Sequence, residues 1–313
     1  MNQAKLPQIL GQSAEITHIL RTLPMIALSD ASVLISGETG TGKELIALTL
    51  HEQSRRRDKE LVTINCAALP ADDVEVDLFG RCGEDGQITF RGRLLAAEGS
   101  TVFLDEVDAL PLSVQAKVLR FLEAGECQLQ GSHRLHVADV RILAATSADL
   151  SAEVNAGRFR ADLYYRLRVV PIELPPLRER REDIPLLLKH YLREFAANNG
   201  PVRLSREAEQ CLESYAWPGN VRELENFCQR LALLNPGQLI QPEQLPAEML
   251  TDNAVQAHQF KLPPSGIDLA QVELDLIEQA LEMAAGNRSK AARLLGISRD
   301  TLLYRMQKYN LSS

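Results

Sequence analysis

The chain has 313 residues, 45% of them hydrophobic and 24% charged, a balance that allows two globular domains and excludes a disordered or fibrous protein. No apolar run approaches the roughly 20 residues a membrane helix needs, and MNQAKLPQIL lacks the apolar stretch of a signal peptide, so a cytoplasmic protein with no membrane partner is expected. A net charge of -8 excludes a body that binds nucleic acid over its whole surface.

The first strong element is the β-branched run Val33–Ser36. It leads into Gly37-Glu38-Thr39-Gly40-Thr41-Gly42-Lys43-Glu44 and a helical pattern over Lys43–Gln53. Glycines let the backbone turn its N–H groups around phosphate, a helix start adds positive potential, and Lys43 is placed to reach the terminal phosphates of ATP. Glu44 stands where Ser or Thr normally touches magnesium. A second strand is expected over Leu61–Asn65. A third, Thr101–Leu104, ends in Asp105 and Glu106. Two acids at a strand end serve equally as a cap, but downstream of a phosphate loop they read as a catalytic pair: Asp105 to hold Mg2+ and Glu106 to polarise the attacking water. Ser113–Ala124 reads as a helix, and Val140–Ala145 and Val169–Leu174 as strands. Several of these runs are apolar on consecutive positions, as in strands covered on both faces of a parallel sheet. Residues 1–176 are therefore expected to form an α/β nucleotide-binding domain.

After Pro176 the strand signal stops. Arg180–Ala197, Ser205–Tyr215 and Val221–Leu234 read as helices of a lid over 177–250, with Trp217-Pro218-Gly219-Asn220 a turn capping the last. The polar stretch 251–266 lacks periodicity and reads as a linker. In 267–313, Leu269, Val272, Leu276, Ile277, Ala280 and Ala284 fall on one helical face. Gly286 is expected to end that helix and Asn287 to cap the next, Ser289–Leu295. Gly296 ends it, and Ser298 caps a third helix, Arg299–Tyr309. From Gly286 onward six basic residues (Arg288, Lys290, Arg293, Arg299, Arg305, Lys308) face one acid, Asp300. An ordinary three-helix bundle is the bland alternative; the local charge and the small Ala291-Ala292 pair favour a helix-turn-helix on double-stranded DNA. Arg299, Thr301, Tyr304, Arg305 and Lys308 are the candidate contacts, since arginine pairs bidentately with guanine while lysine and tyrosine fix phosphate register. Pairing of two chains through Leu269–Ala285 would imply a palindromic operator. Five dispersed cysteines suit reduced core thiols, and His133 with His136 reads as a polar turn rather than a metal site.

GETGTGKELIA, INCAALP, LFG, TVFLDEV, FRADLYYRL, PPLRERREDIP and WPGNVRELEN, in that order, resemble the AAA+ domain of NtrC-type, sigma-54-dependent bacterial enhancer-binding proteins. NRSKAARLLGISRDTLLYRMQKYNL resembles their Fis-type DNA-binding domain, so the likeness runs from about Leu10 to the C-terminus. The resemblance implies an AAA+ parallel-sheet domain, a helical lid and an all-α helix-turn-helix. Glutamate after the P-loop lysine is usual in that family, which accounts for Glu44. The resemblance also implies that Lys43 and its loop bind ATP phosphates, that Asp105 and Glu106 are the Walker B pair, and that Asn65 couples Glu106 to the γ-phosphate. Arg160 and Arg166 are implied to supply an arginine finger to a neighbouring subunit, and Arg222 to sense nucleotide from the lid. Members act on RNA polymerase as hexameric rings, often resting as dimers.

Three departures shape the expectation. Between LFG and the following GR the family carries a GAFTGA loop that contacts sigma-54, whereas Arg81–Arg91 here reads RCGEDGQITFR. Thr146-Ser147 replaces the usual Thr-Asn of the first sensor, and the shorter serine is expected to weaken γ-phosphate sensing. No receiver or GAF domain precedes the AAA+ motifs, so control is expected from a partner protein, a ligand or expression level. Leu6–Leu10 carries no arginine of the kind that helps some relatives hold a cyclic dinucleotide. The expected function is a DNA-binding transcription regulator that binds ATP and hydrolyses it, at a reduced rate, without the usual sigma-54 contact loop. The alternatives are an ATP-driven remodeller of sigma-54 RNA polymerase and, from another class, an AAA+ ATPase of replication or protein handling.

Overall fold

Strands whose residues are apolar on both faces need cover on both sides, and the larger unit of the protein is built around five of them. The computed structural model describes residues 9–68, 70–196, 200–250, 269–284 and 287–309; the chain divides into two units, Met1–Ala254 and Val255–Ser313. In chain order the α/β part of the first unit runs α1 (Ala14–Ala27), β1 (Val33–Ser36), α2 (Lys43–Glu52), β2 (Val62–Asn65), α3 (Ala71–Phe79), β3 (Arg81–Cys82), β4 (Ile88–Phe90), α4 (Arg93–Ala96), β5 (Thr101–Asp105), α5 (Leu112–Ala124), β6 (Glu126–Gln128), β7 (Leu135–Val137), β8 (Arg141–Thr146), α6 (Leu150–Asn155), α7 (Ala161–Leu167) and β9 (Val170–Glu173). Strands β2-β5-β8-β1-β9, in that spatial order, form one parallel sheet.

Alternation along each strand divides the core in two. Val33, Ile35, Phe103, Leu143 and Ala145 pack on α1 and α2, while Leu34, Val102, Leu104, Ile142 and Ala144 pack on the opposite layer with α3, α4, α5 and α7. All six residues of β8 are buried, as a central strand requires. Pro171, which has no N–H to donate, sits in the edge strand β9 opposite Leu34. The five expected strands lie within one residue of their predicted ends.

The lid begins with two 3-10 turns, Leu177–Glu179 and Arg181–Asp183, followed by α8 (Ile184–Glu194). The single helix expected from Arg180 is thus corrected: Pro185 fits only in a first helical turn, so α8 starts beside it. α8 ends at Glu194 with Phe195 as its C-cap, short of the expected Ala197. Then come β10 (Arg203–Leu204), α9 (Arg206–Ser214), α10 (Asn220–Leu234), β11 (Leu239–Ile240) and α11 (Ala247–Leu250), around a core centred on the fully buried Trp217.

The second unit holds α12 (Leu269–Met283), α13 (Arg288–Leu294) and α14 (Arg299–Lys308). Asn287 accepts from the Ser289 and Lys290 amides and Ser298 from that of Thr301, so both expected caps are present. Ile277, Ala280 and Ala284 pack on Ala291, Ala292, Leu302 and Met306. Leu276 is half exposed instead of joining that face, because it precedes Ile277 and so lies about 100° around the helix from it. The linker over 251–266, the Gly286 cap and the side chains of Leu269 and Val272 lie outside the described residues.

Candidate nucleotide and DNA sites

In a parallel sheet all carboxyl ends lie along one edge, the usual place for a ligand crevice. Register pairs Ser36 with Thr146 and Asn65 with Asp105, which gathers the phosphate loop, the acidic pair and the sensor residues there. The loop from Gly37 to Gly42 uses left-handed backbone at Gly40 (φ +81) and Gly42 (φ +108). A Cβ on Gly40 would fall 2.3 Å from the Gly219 carbonyl, so that glycine is required by close approach as well as by φ.

Lys43 opens α2 and is buried. Its ammonium donates to the Gly37 and Glu38 carbonyls at 2.7 and 3.2 Å and to Ser147 Oγ at 2.7 Å. Burial lowers its pKa below the ordinary lysine value; Asp105 and Glu106 oppose that shift and Arg222 adds to it. Ser147 is thus short but long enough to hold the lysine, and it also lies 3.3 Å from Thr39 Oγ1. Thr146 donates to Asp108 at 2.5 Å. Glu106 takes left-handed backbone (φ +53), a conformation that costs energy in a residue with a Cβ, and its amide donates to Asp105 Oδ1 at 3.0 Å. Asn65 holds its own loop: its carboxamide oxygen accepts from the Ala67 and Ala68 amides at 2.9 and 3.0 Å. Glu44 is exposed on the first turn of α2. Thr41 is buried, its hydroxyl on the Glu38 carbonyl at 2.7 Å.

Lid residues close over this loop. Arg178 makes a bidentate pair with Glu38 at 2.8 and 2.6 Å. The buried Asn220 donates to Glu38 at 3.2 Å and to the Thr39 carbonyl at 3.0 Å, while its oxygen accepts from the Leu177 amide at 2.7 Å. Hydrogen bonds from Arg178 and Asn220 hold the Glu38 carboxyl down at about 2. The Arg222 amide donates to the Gly40 carbonyl at 3.3 Å. Arg180, almost fully buried, donates to the Thr41 carbonyl at 3.0 Å. Beside it the buried Asp183 accepts from the Gln12 amide and from the amide and hydroxyl of Ser13, at 2.6 to 2.8 Å, which fixes the start of α1.

Arg160, which caps the start of α7, and Arg166, within α7, are both exposed. Arg160 pairs with Asp162 at 2.7 Å and Arg166 donates to the Leu122 carbonyl at 3.0 Å. Over Arg81–Phe90 the antiparallel strands β3 and β4 make a hairpin lying beside a second hairpin, β6 and β7; the Cys82 amide donates to the Gln130 carbonyl at 2.8 Å. Between them is a cleft of about 510 Å³ lined by Ile88, Thr89, Arg91, Leu95, His136 and Val137. His136 is therefore a strand residue, paired with Cys127, and not part of a turn with His133. Among the described residues no cluster of three or more metal-ligating side chains occurs, and no helix is long and apolar enough to cross a membrane.

In the second unit Tyr304, 70% exposed, and Arg299 face solvent on α14. Thr301 is half-buried, and its hydroxyl meets Ser298 Oγ at 2.7 Å. Arg305 is half-buried and ion-paired with Glu273 of α12, with Lys308 3.9 Å from the same carboxylate. Tyr309 also donates to Glu273, at 2.5 Å. Gln307, exposed on the same helix, was not among the expected contacts.

Arg178, Arg180 and Asn220 as partners of the phosphate loop, and Asp183 as the anchor of Gln12 and Ser13, were not singled out by sequence reasoning. They stand in the quoted strings PPLRERREDIP and WPGNVRELEN, but the contacts join residues 139 to 182 positions apart. No local period announces such pairs.

Comparison with known proteins agrees with this architecture. Residues 9–173 match the sigma-54 interaction domain, 178–261 the AAA+ ATPase lid domain, and 268–309 the bacterial regulatory protein, Fis family. The transcriptional regulatory protein ZraR of Salmonella typhimurium is 45% identical over 307 residues, covering 96% of this chain and 68% of that protein. The DNA-binding transcriptional regulator NtrC of Rhizobium meliloti is 39% identical over 340 residues, covering 97% and 70%. The crystal structure of NtrX from Brucella abortus in complex with ATP superposes with a TM-score of 0.71 at 31% identity, covering 96% of this chain and 69% of that one.

Proposed function

This chain belongs to the family of regulators built on the sigma-54 interaction domain, and from that premise we propose that it is a bacterial transcription regulator that binds ATP at the sheet edge and DNA through its Fis-type unit. The carrying observation is the buried Lys43 ammonium, held among phosphate-loop carbonyls with Asp105, Glu106 and Arg222 around it. A triphosphate supplies the anionic oxygens that such a cation and a ring of loop amides are suited to receive. Mg2+ would be held by Asp105 together with phosphate oxygens, and there it would draw charge from the bond being broken.

This chain's own groups account for the remaining chemistry. Glu106, held in left-handed backbone beyond the end of β5, orients and polarises water for attack. Ser147 presents Lys43 to the phosphates. Arg222 adds a second cation from the lid. Arg160 at the start of α7 and Arg166 within it are exposed and available to a neighbouring copy's nucleotide, so hydrolysis depends on assembly. On α14, Arg299, Thr301 and Tyr304 are candidates to read or grip DNA, with Arg305 and Lys308 on the flank near Glu273. The Fis-family match supports DNA over the replication or protein-handling alternative.

Two mechanisms divide this reading. The match over residues 9–173 and the relatives found favour action on sigma-54 RNA polymerase. The hairpin at Arg81–Arg91, with no GAFTGA string, favours regulation through assembly on DNA without that contact. Transcription in vitro with each polymerase form tests them. ATP-dependent open-complex formation with the sigma-54 enzyme supports the first. A promoter effect confined to the other polymerase form supports the second. No effect with either, together with no DNA binding, sinks the regulator reading.

A further inference from the structure

In a trans peptide the carbonyl of one residue and the N–H of the next lie in a single plane and point in opposite directions. Gripping the carbonyl therefore aims the amide. In the phosphate loop three consecutive planes are gripped in this way, and every grip comes from the lid. Asn220 Nδ2 holds the Thr39 carbonyl at 3.0 Å, the Arg222 amide holds that of Gly40 at 3.3 Å, and Arg180 holds that of Thr41 at 3.0 Å. The amides so aimed are those of Gly40, Thr41 and Gly42; that of Thr41 donates to the Glu38 carbonyl at 3.3 Å, which leaves those of Gly40 and Gly42 for an anion, and the described residues contain no cis peptide. Gly40 and Gly42 take positive φ, which lets these planes turn without a Cβ penalty.

The two side-chain grips are anchored against rotation. Asn220 is fixed at its oxygen by the Leu177 amide. Arg180 is buried, and its charge lies near the Asp183 carboxylate that also holds Gln12 and Ser13. A buried guanidinium that spends a donor on a loop carbonyl while its Nε has no partner is an expensive arrangement for packing alone.

We propose that Arg180 and Asn220 are positioning residues for nucleotide phosphate: from the lid they turn the loop's peptide planes so that its amides form an anion cradle. They touch the loop and not the ligand. This deepens the ATP-binding reading and rests on it. Lid movement then changes phosphate affinity through the backbone of the loop, in addition to any contact by Arg222.

The test is titration of the full chain with fluorescent ATP, ADP and AMP, alongside thermal melting. Arg180→Met should weaken ATP and ADP by about tenfold or more, the scale of losing a charge-assisted hydrogen bond, with little change for AMP and with folding intact. Arg180→Lys, which keeps a cationic donor able to reach Thr41, should recover most of the loss. If the methionine variant does not fold, Asn220→Ser is read by the same comparison. A folded Arg180→Met or Asn220→Ser chain that binds ATP like the unaltered one overturns the proposal. So does an equal loss for all three nucleotides. Lys43→Ala separates the two levels: if the unaltered chain and the Lys43 variant both fail to bind, the ATP-site reading itself has failed.

Discussion

At the scale of single residues, Glu38 shows how a loop side chain becomes part of a closure. Its carboxyl is pulled from 4.5 to about 2, first by Arg178 and then by Asn220. A depressed carboxylate pKa adds stability that is fully present above about 4.5 and is lost as pH falls toward about 2. Glu38→Gln should therefore lower the melting temperature slightly at neutral pH, with the gap to the unaltered chain closing between those two values. The effect should be small, because the pair is about two-fifths exposed and solvent screens it. Melting curves across that pH range check it, and a gap that widens on acidification would contradict the assignment. Cys66, by contrast, is buried near Asp105, and desolvation pushes its thiol up to about 12, which leaves it inert beside the site.

Among elements, the packing of α12 on α14 decides which basic residues are free. Glu273 engages Arg305, Lys308 and Tyr309, so its carboxylate competes with DNA phosphate for two of the cations that sequence alone assigned to the duplex. Glu273→Gln should raise DNA affinity and steepen its dependence on salt by about one ion. Binding isotherms at several salt concentrations measure both, and weaker binding with an unchanged slope would show that the pair serves to orient α14. The caps are a separate matter. Ser298→Ala removes the acceptor for the Thr301 amide and should cost about 1 kcal/mol of the stability of the second unit, measurable by denaturant titration.

For the assembled protein, the position of Arg160 and Arg166 matters more than their identity. Both are exposed at α7, and their side chains donate to Asp162 and to the Leu122 carbonyl rather than to their own phosphate loop. Hydrolysis should then require two chains. Arg160→Ala should still bind ATP but hydrolyse it slowly, and mixing it with Lys43→Ala chains should restore part of the rate, since each supplies what the other lacks. Full activity of Arg160→Ala alone would remove it from the mechanism.

Much of the architecture was legible in the sequence because its causes are local. Buried parallel strands announce themselves as apolar runs, the phosphate loop by glycines between strand and helix, and the caps by Asn287 and Ser298. The single helix expected from Arg180 failed for a reason also present locally, the position of Pro185. The closure of the site was another matter. That Arg178, Arg180 and Asn220 grip Glu38, Thr41 and Thr39, or that Glu273 holds Arg305, depends on segments brought together by packing. Sequence by itself determined which groups are present and in what order. The tertiary structure decided which carbonyl each donor meets, because a hydrogen bond is fixed by distances of about 3 Å that no one-dimensional pattern encodes.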